Sequence, residues 1–364
     1  MEDLGSNIIG YDFPSISQEE VDYNSKYACY LLKSMIKISL RINFILYSKH
    51  KNKEISLFSK ELKGSNLRFL KQHSPKRLFA DGKLSLFHSF GDFVVDKKKV
   101  KRVLSIVYSI PDDVGVSSKY IKWLEKFERI ICPSNVAAKR LAEYLPERIS
   151  DINVILPGIG LKSPKIDNTQ ALQSVFGKYG IGSDYFLYMD EGAANNKNVR
   201  NLIEAYIKFW NRSQTIPSLV IVSGGGEIVF GGLEREASLL KSKNKLMIID
   251  KIGDEELATI YSRARLFIFM PHKRQNIYSP EIIDAMANGV PIICSDEGFG
   301  SEITHNAARF IIPYDVDDIC SALESLESNL GYRQSLVEGA KKFVSNYNWD
   351  TAAQKTLEVY KELV

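Results

Sequence analysis

Residues 266–296, LFIFMPHKRQNIYSPEIIDAMANGVPIICSD, decide the fold because they set one helical stretch between two short apolar runs. The runs LFIFMP (266–271) and VPIICSD (290–296) are apolar along most of their length, which is typical of strands buried on both faces of a sheet. Residues 279–288 between them carry apolar positions at helical spacing. Such a strand–helix–strand unit indicates a parallel sheet covered by helices.

The same alternation extends along the whole chain in two series. The predicted strands lie at 6–11, 42–47, 84–90, 103–110, 129–134 and 152–158, and again at 185–190, 218–226, 246–250, 266–271, 290–296 and 308–314. Residues 160–183, between the two series, contain Pro164 and several glycines and are the predicted linker. The two series share no repeat period, and they therefore predict two Rossmann-like, doubly wound α/β domains, residues 1–165 and 166–345.

The composition is that of a folded globular protein of 364 residues, of which 45% are hydrophobic, 25% charged and 11% aromatic. These values exclude a disordered chain, a collagen-like fibre and a small disulfide scaffold. The net charge of +4 hides an asymmetry, because residues 1–165 hold 28 basic and 18 acidic residues and residues 166–364 hold 20 basic and 26 acidic ones. A front half of net charge +10 and a back half of −6 indicate two domains with different partners.

Missing patterns exclude several classes of function. The four cysteines form no CxxC pair and no two histidines are four residues apart, so no metal site is expected. The basic cluster at 97–102 has no accompanying aromatic platform for base stacking, which argues against a nucleic-acid partner. No apolar run reaches the roughly 18 residues of a membrane span. Because the acidic start Met1-Glu2-Asp3 also lacks a signal pattern, a cytoplasmic protein is expected.

The first candidate site is the strand-to-helix junction at 190–198, DEGAANNKN. Lys197 lies at the predicted helix start, where backbone N–H groups are exposed and the helix dipole is positive. That arrangement suits an anionic phosphate. A capped helix with a solvated lysine explains the same residues, and the two interpretations stay open.

The second candidate site combines two further junctions. Gly224 and Gly225 follow an apolar strand and allow close approach of a ligand to the backbone, although many α/β loops have such glycines. At the helix that begins near 279, Ser279 can accept from an early N–H group, and Glu281 complements the dipole. Polar groups ahead of this helix can hold sugar hydroxyls. A well-capped core helix is the alternative.

Together these segments resemble the retaining glycosyltransferases of family four, the glycosyl-transferase-group-1 type. YFLYMDEGAANNKNVRNLIEA (185–205), SLVIVSGGG (218–226) and SPEIIDAMANGVPIICSD (279–296) follow the order of that family's motifs. The segments IGDEELATIYSRARLFIFMP (252–271) and NYNWDTAAQKTLEVYKELV (346–364) extend the likeness. It is strong over residues 185–364 and weaker over 1–165.

The resemblance implies the GT-B fold, in which two Rossmann-like domains face a central cleft. Residues 1–165 would form the acceptor-side domain, with the helix at about 346–364 packed back onto it, and residues 166–345 the donor domain. The implied activity moves a sugar from a nucleotide-diphosphate sugar to a glycan or lipid-linked acceptor with retention of configuration. No cofactor and no metal are implied. The basic front half could also meet an anionic membrane surface, which implies a peripheral position at the inner membrane face.

The resemblance also assigns roles to single residues. Lys197 would hold the donor phosphates, Asn276 the sugar and Asp284 the ribose, while Tyr108 lies close to where members often carry a histidine. The remaining implied donor-binding residues are Gly224, Gly225, Tyr278, Ser279 and Glu281.

Departures from the family pattern support a second hypothesis. The family usually has two glutamates at the positions of Asn276 and Asp284, and an arginine near the position of Glu191. Residues 20–27 lack the glycine-rich loop found after the first strand in many members. These differences are compatible with a catalytically degenerate protein that serves as a binding or partner subunit of another glycosyltransferase. No GxGxxG segment follows the first strand, which argues against a nicotinamide-dependent enzyme.

Overall fold

Both strand series form parallel sheets covered by helices, as the sequence predicts. The computed structural model describes residues 7–13, 23–39, 42–48, 67–74, 76, 80–107, 110, 118–161, 169–190, 197–213, 216–223, 228–250, 252–271, 277–296 and 298–364. The chain divides into two units. The first contains Met1–Gly158 and Asn348–Val364, and the second contains Ile159–Tyr347.

The first unit is built on a seven-stranded parallel sheet of order β3-β2-β1-β4-β5-β6-β7. Its strands are β1 (Ile8–Asp12), β2 (Asn43–Ser48), β3 (Leu67–Lys71), β4 (Leu86–Ser89), β5 (Lys101–Ser105), β6 (Arg129–Cys132) and β7 (Ile152–Val154). Its described helices are α1 (Tyr23–Ile38), α2 (Ser118–Leu124), α3 (Asn135–Tyr144), a 3-10 helix (Pro146–Asp151) and the last helix of the chain, Trp349–Lys361.

The last helix of the chain packs against α1 in the first unit. The indole of Trp349 stacks on Tyr30, with ring centroids 5.5 Å apart, and meets the edge of Tyr27 at 5.1 Å. Gly158 approaches the same tryptophan so closely that a Cβ atom there would meet Trp349 Cδ1. These aromatic contacts hold the C-terminal helix to α1.

Strand β3 was not predicted from the sequence. None of its residues, Leu67–Lys71, is fully buried, because β3 lies at the edge of the sheet and pairs with β2 alone. An edge strand with two basic residues lacks the continuous apolar run of a central strand.

The second unit is built on a six-stranded parallel sheet of order β10-β9-β8-β11-β12-β13. Its strands are β8 (Tyr185–Asp190), β9 (Ser218–Ser223), β10 (Leu246–Ile249), β11 (Leu266–Phe269), β12 (Ile292–Ser295) and β13 (Arg309–Ile311). Its helices are α4 (Thr169–Tyr179), α5 (Lys197–Arg212), α6 (Glu234–Ser242), α7 (Asp254–Tyr261), α8 (Pro280–Ala287), α9 (Phe299–Thr304), α10 (Val316–Ser328) and α11 (Leu330–Val344). The helix Trp349–Lys361 is hereafter α12.

Each sheet has the strand order of a Rossmann fold. The first three strands of each unit extend toward one edge of the sheet, and the later strands are added on the other side of the first strand, so the strand order reverses there. In the second unit the reversal lies between β8 and β11, and in the first between β1 and β4. Ligands of such sheets bind outside the carboxyl ends of the strands at this point. No helix among the described residues has the length and apolar character needed to cross a membrane.

Candidate functional site

The reversal point of the second sheet is bridged by Asn198, the second residue of α5. Its side-chain Nδ2 donates to the carbonyl oxygen of Met270, which directly follows β11, at 2.6 Å. Asn198 is buried, and Asp190 at the end of β8 is buried as well. This hydrogen bond ties the start of α5 to the neighbouring strand end, so the positive end of the helix dipole lies at the carboxyl edge of the sheet.

Helix α8 begins at the same edge, after β11. Ser279 occupies the N-cap position with extended backbone angles, and Pro280 is the first helical residue, as its fixed φ favours. The sequence suggests that Ser279 accepts from an early N–H group of the helix. Instead, its hydroxyl donates to the Glu281 carboxylate, and no side-chain bond caps the helix. Both side chains are buried, so the hydroxyl provides a hydrogen bond to a carboxylate that has lost most of its contact with water.

Asp284 lies buried one turn further along α8 and binds the chain that enters the second unit. Its Oδ1 accepts from the backbone N–H groups of Gly160, at 3.0 Å, and Leu161, at 2.8 Å. Asn288, four residues later, donates from Nδ2 to the Leu161 carbonyl oxygen at 3.0 Å. One face of α8 therefore holds this backbone segment by both its N–H and its C=O groups.

Tyr261, the last residue of α7, completes the buried surroundings of these carboxylates. Burial raises the pKa of its phenol well above the usual value, and the negative charges of Glu281 and Asp284 raise it further. The Tyr261 hydroxyl has no hydrogen-bond partner among the described residues. The phenol in this buried cluster therefore stays protonated.

The predicted site residues fall into two groups. Tyr108, Gly224, Gly225, Asn276 and the side chain of Lys197 lie outside the described residues. Of the others, Ser279, Glu281 and Asp284 share the first turns of α8, and Tyr278 precedes them. Tyr278 is buried and meets the Phe299 ring edge-on, with centroids 5.8 Å apart.

Sequence reasoning missed three residues of this region. Asn198 follows Lys197 in the quoted junction, and its position at a helix start after a strand is a signal that could have pointed to it. Tyr261 lies in the buried part of α7, and the sequence does not distinguish it from an ordinary core residue. The role of Asn288 depends on Leu161, 127 positions away, and has no local signal.

The reversal point of the first sheet carries a different polar group. His88, in β4, is completely buried, and its Nδ1 and Nε2 atoms lie 2.6 Å from Tyr360 Oη and 2.8 Å from Ser105 Oγ. Burial lowers the pKa of His88 to about 3. The imidazole is therefore neutral at physiological pH. It links β4 and β5 to α12 within the first unit.

Within the described ranges, no group of three or more histidine, cysteine, aspartate or glutamate side chains is arranged to hold a metal ion. The absence of a metal stays a prediction from the sequence.

The second unit matches a known family. Residues 176–343 match the family model described as Glycosyl transferases group 1. The match covers just under half of the chain and lies within the second unit, in agreement with the resemblance seen in the sequence.

Curated relatives match over a similar number of residues. An uncharacterized glycosyltransferase of Methanocaldococcus jannaschii is 26% identical over 171 residues, which is 45% of this chain and 42% of that protein. The O-antigen chain mannosyltransferase B of Escherichia coli is 25% identical over 171 residues, covering 46% of this chain and 43% of the relative. The matched part of this chain thus spans less than half the length of these relatives.

Solved structures resemble the chain over nearly its full length. A glycosyltransferase from Rickettsia africae superposes with a TM-score of 0.74 at 17% identity, covering 98% of both chains. HepE of Anabaena in complex with UDP has a TM-score of 0.70 at 12% identity, covering 98% of this chain and 100% of HepE. At such low identity the likeness concerns the fold, and it confirms the predicted GT-B class.

Proposed function

We propose that the protein is a glycosyltransferase that binds a nucleotide-diphosphate sugar in its second unit. The proposal depends on one observation above all. The starts of α5 and α8 follow β8 and β11, the two strands between which the sheet order reverses, inside the segment that matches the glycosyltransferase family. The neighbouring structure of HepE was solved with UDP and with UDP-glucose. A nucleotide sugar is therefore the ligand class that we assign to this edge.

The start of α5 is the proposed phosphate site. Exposed N–H groups and the helix dipole favour an anion there, and Lys197 is the first helical residue. Asn198 anchors this turn through Met270. Lys197 would neutralise the diphosphate as it departs, which stabilises the leaving group in the transition state.

Helix α8 and the residues before it are the proposed sugar and ribose site. Asn276 would bind the sugar hydroxyls, and the Asp284 carboxylate would accept from the ribose hydroxyls. Gly224 and Gly225 would permit close approach of the nucleotide to the backbone. The buried residues Tyr278, Ser279 and Glu281 would shape the pocket and fix its polar groups.

The reaction that fits this arrangement is transfer with retention of configuration to a glycan or lipid-linked acceptor. The protein would hold the acceptor hydroxyl on the face from which the diphosphate leaves, so that orientation and electrostatics supply the catalysis. Tyr108 would lie on the acceptor side. No metal and no cofactor is required by this scheme, because Lys197 and the helix dipole neutralise the diphosphate.

The first unit would bind the acceptor. Its part of the sequence carries the positive charge of the chain, with 28 basic against 18 acidic residues over 1–165. Such a surface favours an anionic acceptor or an anionic membrane surface, at which the protein would lie peripherally on the inner face.

A second candidate function is a catalytically degenerate partner subunit. One observation favours it: the Asp284 carboxylate is already bonded to the N–H groups of Gly160 and Leu161. If the linker occupies this carboxylate fully, no ribose contact remains for it. Binding of a donor separates the two candidates.

Calorimetric titration with UDP-, GDP- and ADP-sugars tests the proposal. We expect saturable binding of at least one donor and, with an acceptor preparation, release of the nucleoside diphosphate. Absence of binding at millimolar concentrations of all three donors overturns the enzymatic function. Copurification with an active glycosyltransferase would then support the partner subunit.

A further inference from the structure

The Asp284 carboxylate and the Asn288 amide act together as a clamp on residues 160 and 161. Oδ1 of Asp284 accepts from two consecutive backbone N–H groups, those of Gly160 and Leu161. Bonds from N–H groups to a carboxylate are stronger than neutral ones, and this carboxylate is buried. Asn288 Nδ2 donates to the carbonyl oxygen of Leu161 at 3.0 Å and to that of Asp284 at 2.7 Å.

The same stretch of chain is also constrained just before the clamp. Gly158 belongs to the first unit, where its Cα approaches Trp349 so closely that no Cβ fits. Gly160 and Leu161, only two and three residues later, belong to the second unit. The chain that passes from one unit to the next is thus held by side chains on both sides of residue 159.

We propose that this clamp positions Asp284 for the donor, so that donor affinity depends on how firmly residues 160 and 161 are bound. The proposal rests on the function proposed above, in which Asp284 receives the ribose hydroxyls of a nucleoside diphosphate. Asp284 and Asn288 then have separate roles. Asp284 contacts the donor, and Asn288 is a positioning residue that acts through its bonds to the carbonyl oxygens of Leu161 and Asp284.

Preorganisation is the physical reason for the coupling. A carboxylate fixed by two N–H groups keeps one orientation, and the ribose need not order it on binding. Loosening the linker releases this orientation. Because such coupling is reciprocal, a bound nucleotide must also hold residues 160 and 161 more firmly, by the same factor.

The test uses Asn288→Ala in the full-length protein, since this change removes the amide that binds the Leu161 and Asp284 carbonyl oxygens and keeps the Asp284 carboxylate. UDP, GDP and ADP are titrated by calorimetry, and amide hydrogen exchange is followed in a peptide covering residues 157–161. We expect the Kd of the bound nucleotide to rise about fivefold or more. In the wild type, the nucleotide should slow exchange in this peptide by a similar factor.

Asn329→Ala is the matched control. Asn329 also bonds to backbone at a helix end in the second unit, through Oδ1 to the Tyr332 N–H group at 2.9 Å. It should change neither the Kd nor exchange in the linker peptide. If circular dichroism shows that Asn288→Ala does not fold, Asp284→Asn is used in its place. Hydrogen exchange is then measured without nucleotide, and we expect faster exchange at residues 160 and 161.

The coupling is overturned if the Kd of Asn288→Ala stays within about twofold of the wild type, or if nucleotide leaves linker exchange unchanged. If the wild type binds none of the three nucleotides, the function proposed above fails and the coupling fails with it. The clamp itself is then judged without nucleotide. Faster linker exchange in Asn288→Ala supports it, and unchanged exchange overturns it.

Discussion

The Nδ1 atom of His88 lies 2.6 Å from the hydroxyl oxygen of Tyr360, a residue 272 positions further along the chain. The other ring nitrogen lies 2.8 Å from Ser105 Oγ. A neutral imidazole has one donor and one acceptor nitrogen, so the two hydroxyls satisfy it completely. This buried group joins α12, the end of the chain, to the sheet of the first unit.

The His88 site predicts a loss of stability in mild acid. Burial lowers the pKa of His88 from 6.5 to about 3 in the folded protein. Between these values the unfolded state binds the additional proton, so stability is complete above pH 6.5 and falls as the pH decreases toward 3. From pH 6.5 to 5 this group should destabilise the fold by about 2 kcal/mol, measured by urea unfolding.

His88→Gln provides the control for the acid sensitivity. Glutamine keeps a donor and an acceptor but does not titrate, so the variant should be less stable at pH 7.5 yet show a shallower decline between pH 6.5 and 5. A decline as steep as that of the wild type would assign the effect to other groups.

A methyl group at residue 158 should destabilise the first unit. The Cβ of Gly158→Ala would lie 2.2 Å from Trp349 Cδ1 and 2.5 Å from its backbone nitrogen, so α12 must shift. Overpacking of this kind costs about 1–3 kcal/mol, measured by thermal unfolding.

Gly177→Ala is the matched substitution, because nothing lies within 4 Å of a Cβ there and the residue is inside α4. It should stabilise by about 0.5–1 kcal/mol. If Gly158→Ala and Gly177→Ala change the free energy of unfolding equally, a Cβ at residue 158 does not clash with Trp349.

Tyr261→Phe should leave the fold as stable or make it more stable. The hydroxyl is buried without a partner among the described residues, and a buried polar group without a hydrogen bond costs free energy. Its removal should raise the free energy of unfolding by about 1 kcal/mol. Tyr206→Phe, which removes a buried bond of 2.7 Å to the Pro217 carbonyl oxygen, should lower it by about 1 kcal/mol. Destabilisation by Tyr261→Phe would show that this hydroxyl has a partner.

Lys197→Ala should abolish most of the transfer activity if Lys197 holds the donor phosphates. Loss of one electrostatic contact in the transition state lowers kcat by about 100-fold to 1,000-fold. Lys208→Ala on the same helix is the control, since Lys208 forms an exposed ion pair with Asp317 at 3.0 Å. Its removal should leave the rate unchanged. Comparable rates for Lys197→Ala and the wild type would refute the phosphate role.

The parallel sheets were predictable because their central strands are continuous apolar runs, such as YFLYMD at 185–190 and LFIFMP at 266–271. Predicted strands of the first unit extended too far, since β5 ends at Ser105 whereas the apolar run continues to 110. Ile106, Val107 and Ile110 are buried without belonging to the strand. An apolar run indicates that residues are buried, not that they form a strand. Here the buried residues continue past the end of the strand, at the carboxyl edge of the sheet.

Helix α9, Phe299–Thr304, had no predictive signal, because Gly298 and Gly300 flank its start and glycine disfavours helix. Gly300 is needed there for packing, since a Cβ would meet the Cys294 sulfur and the Phe269 ring. Gly300 therefore fits this position because it has no side chain, although glycine is a poor helix former.

By itself, the sequence determined the alternation of strands and helices, the start of α8 at Ser279 and Pro280, and the similarity of residues 176–343 to the glycosyl transferases group 1 family. Each of these depends on residues close in the chain, whose spacing and capping are local. Only the tertiary structure decided the partners of His88 and Asp284. The Asp284 bonds span 123 and 124 positions, and no local pattern indicates which buried carboxylate will meet which backbone N–H group.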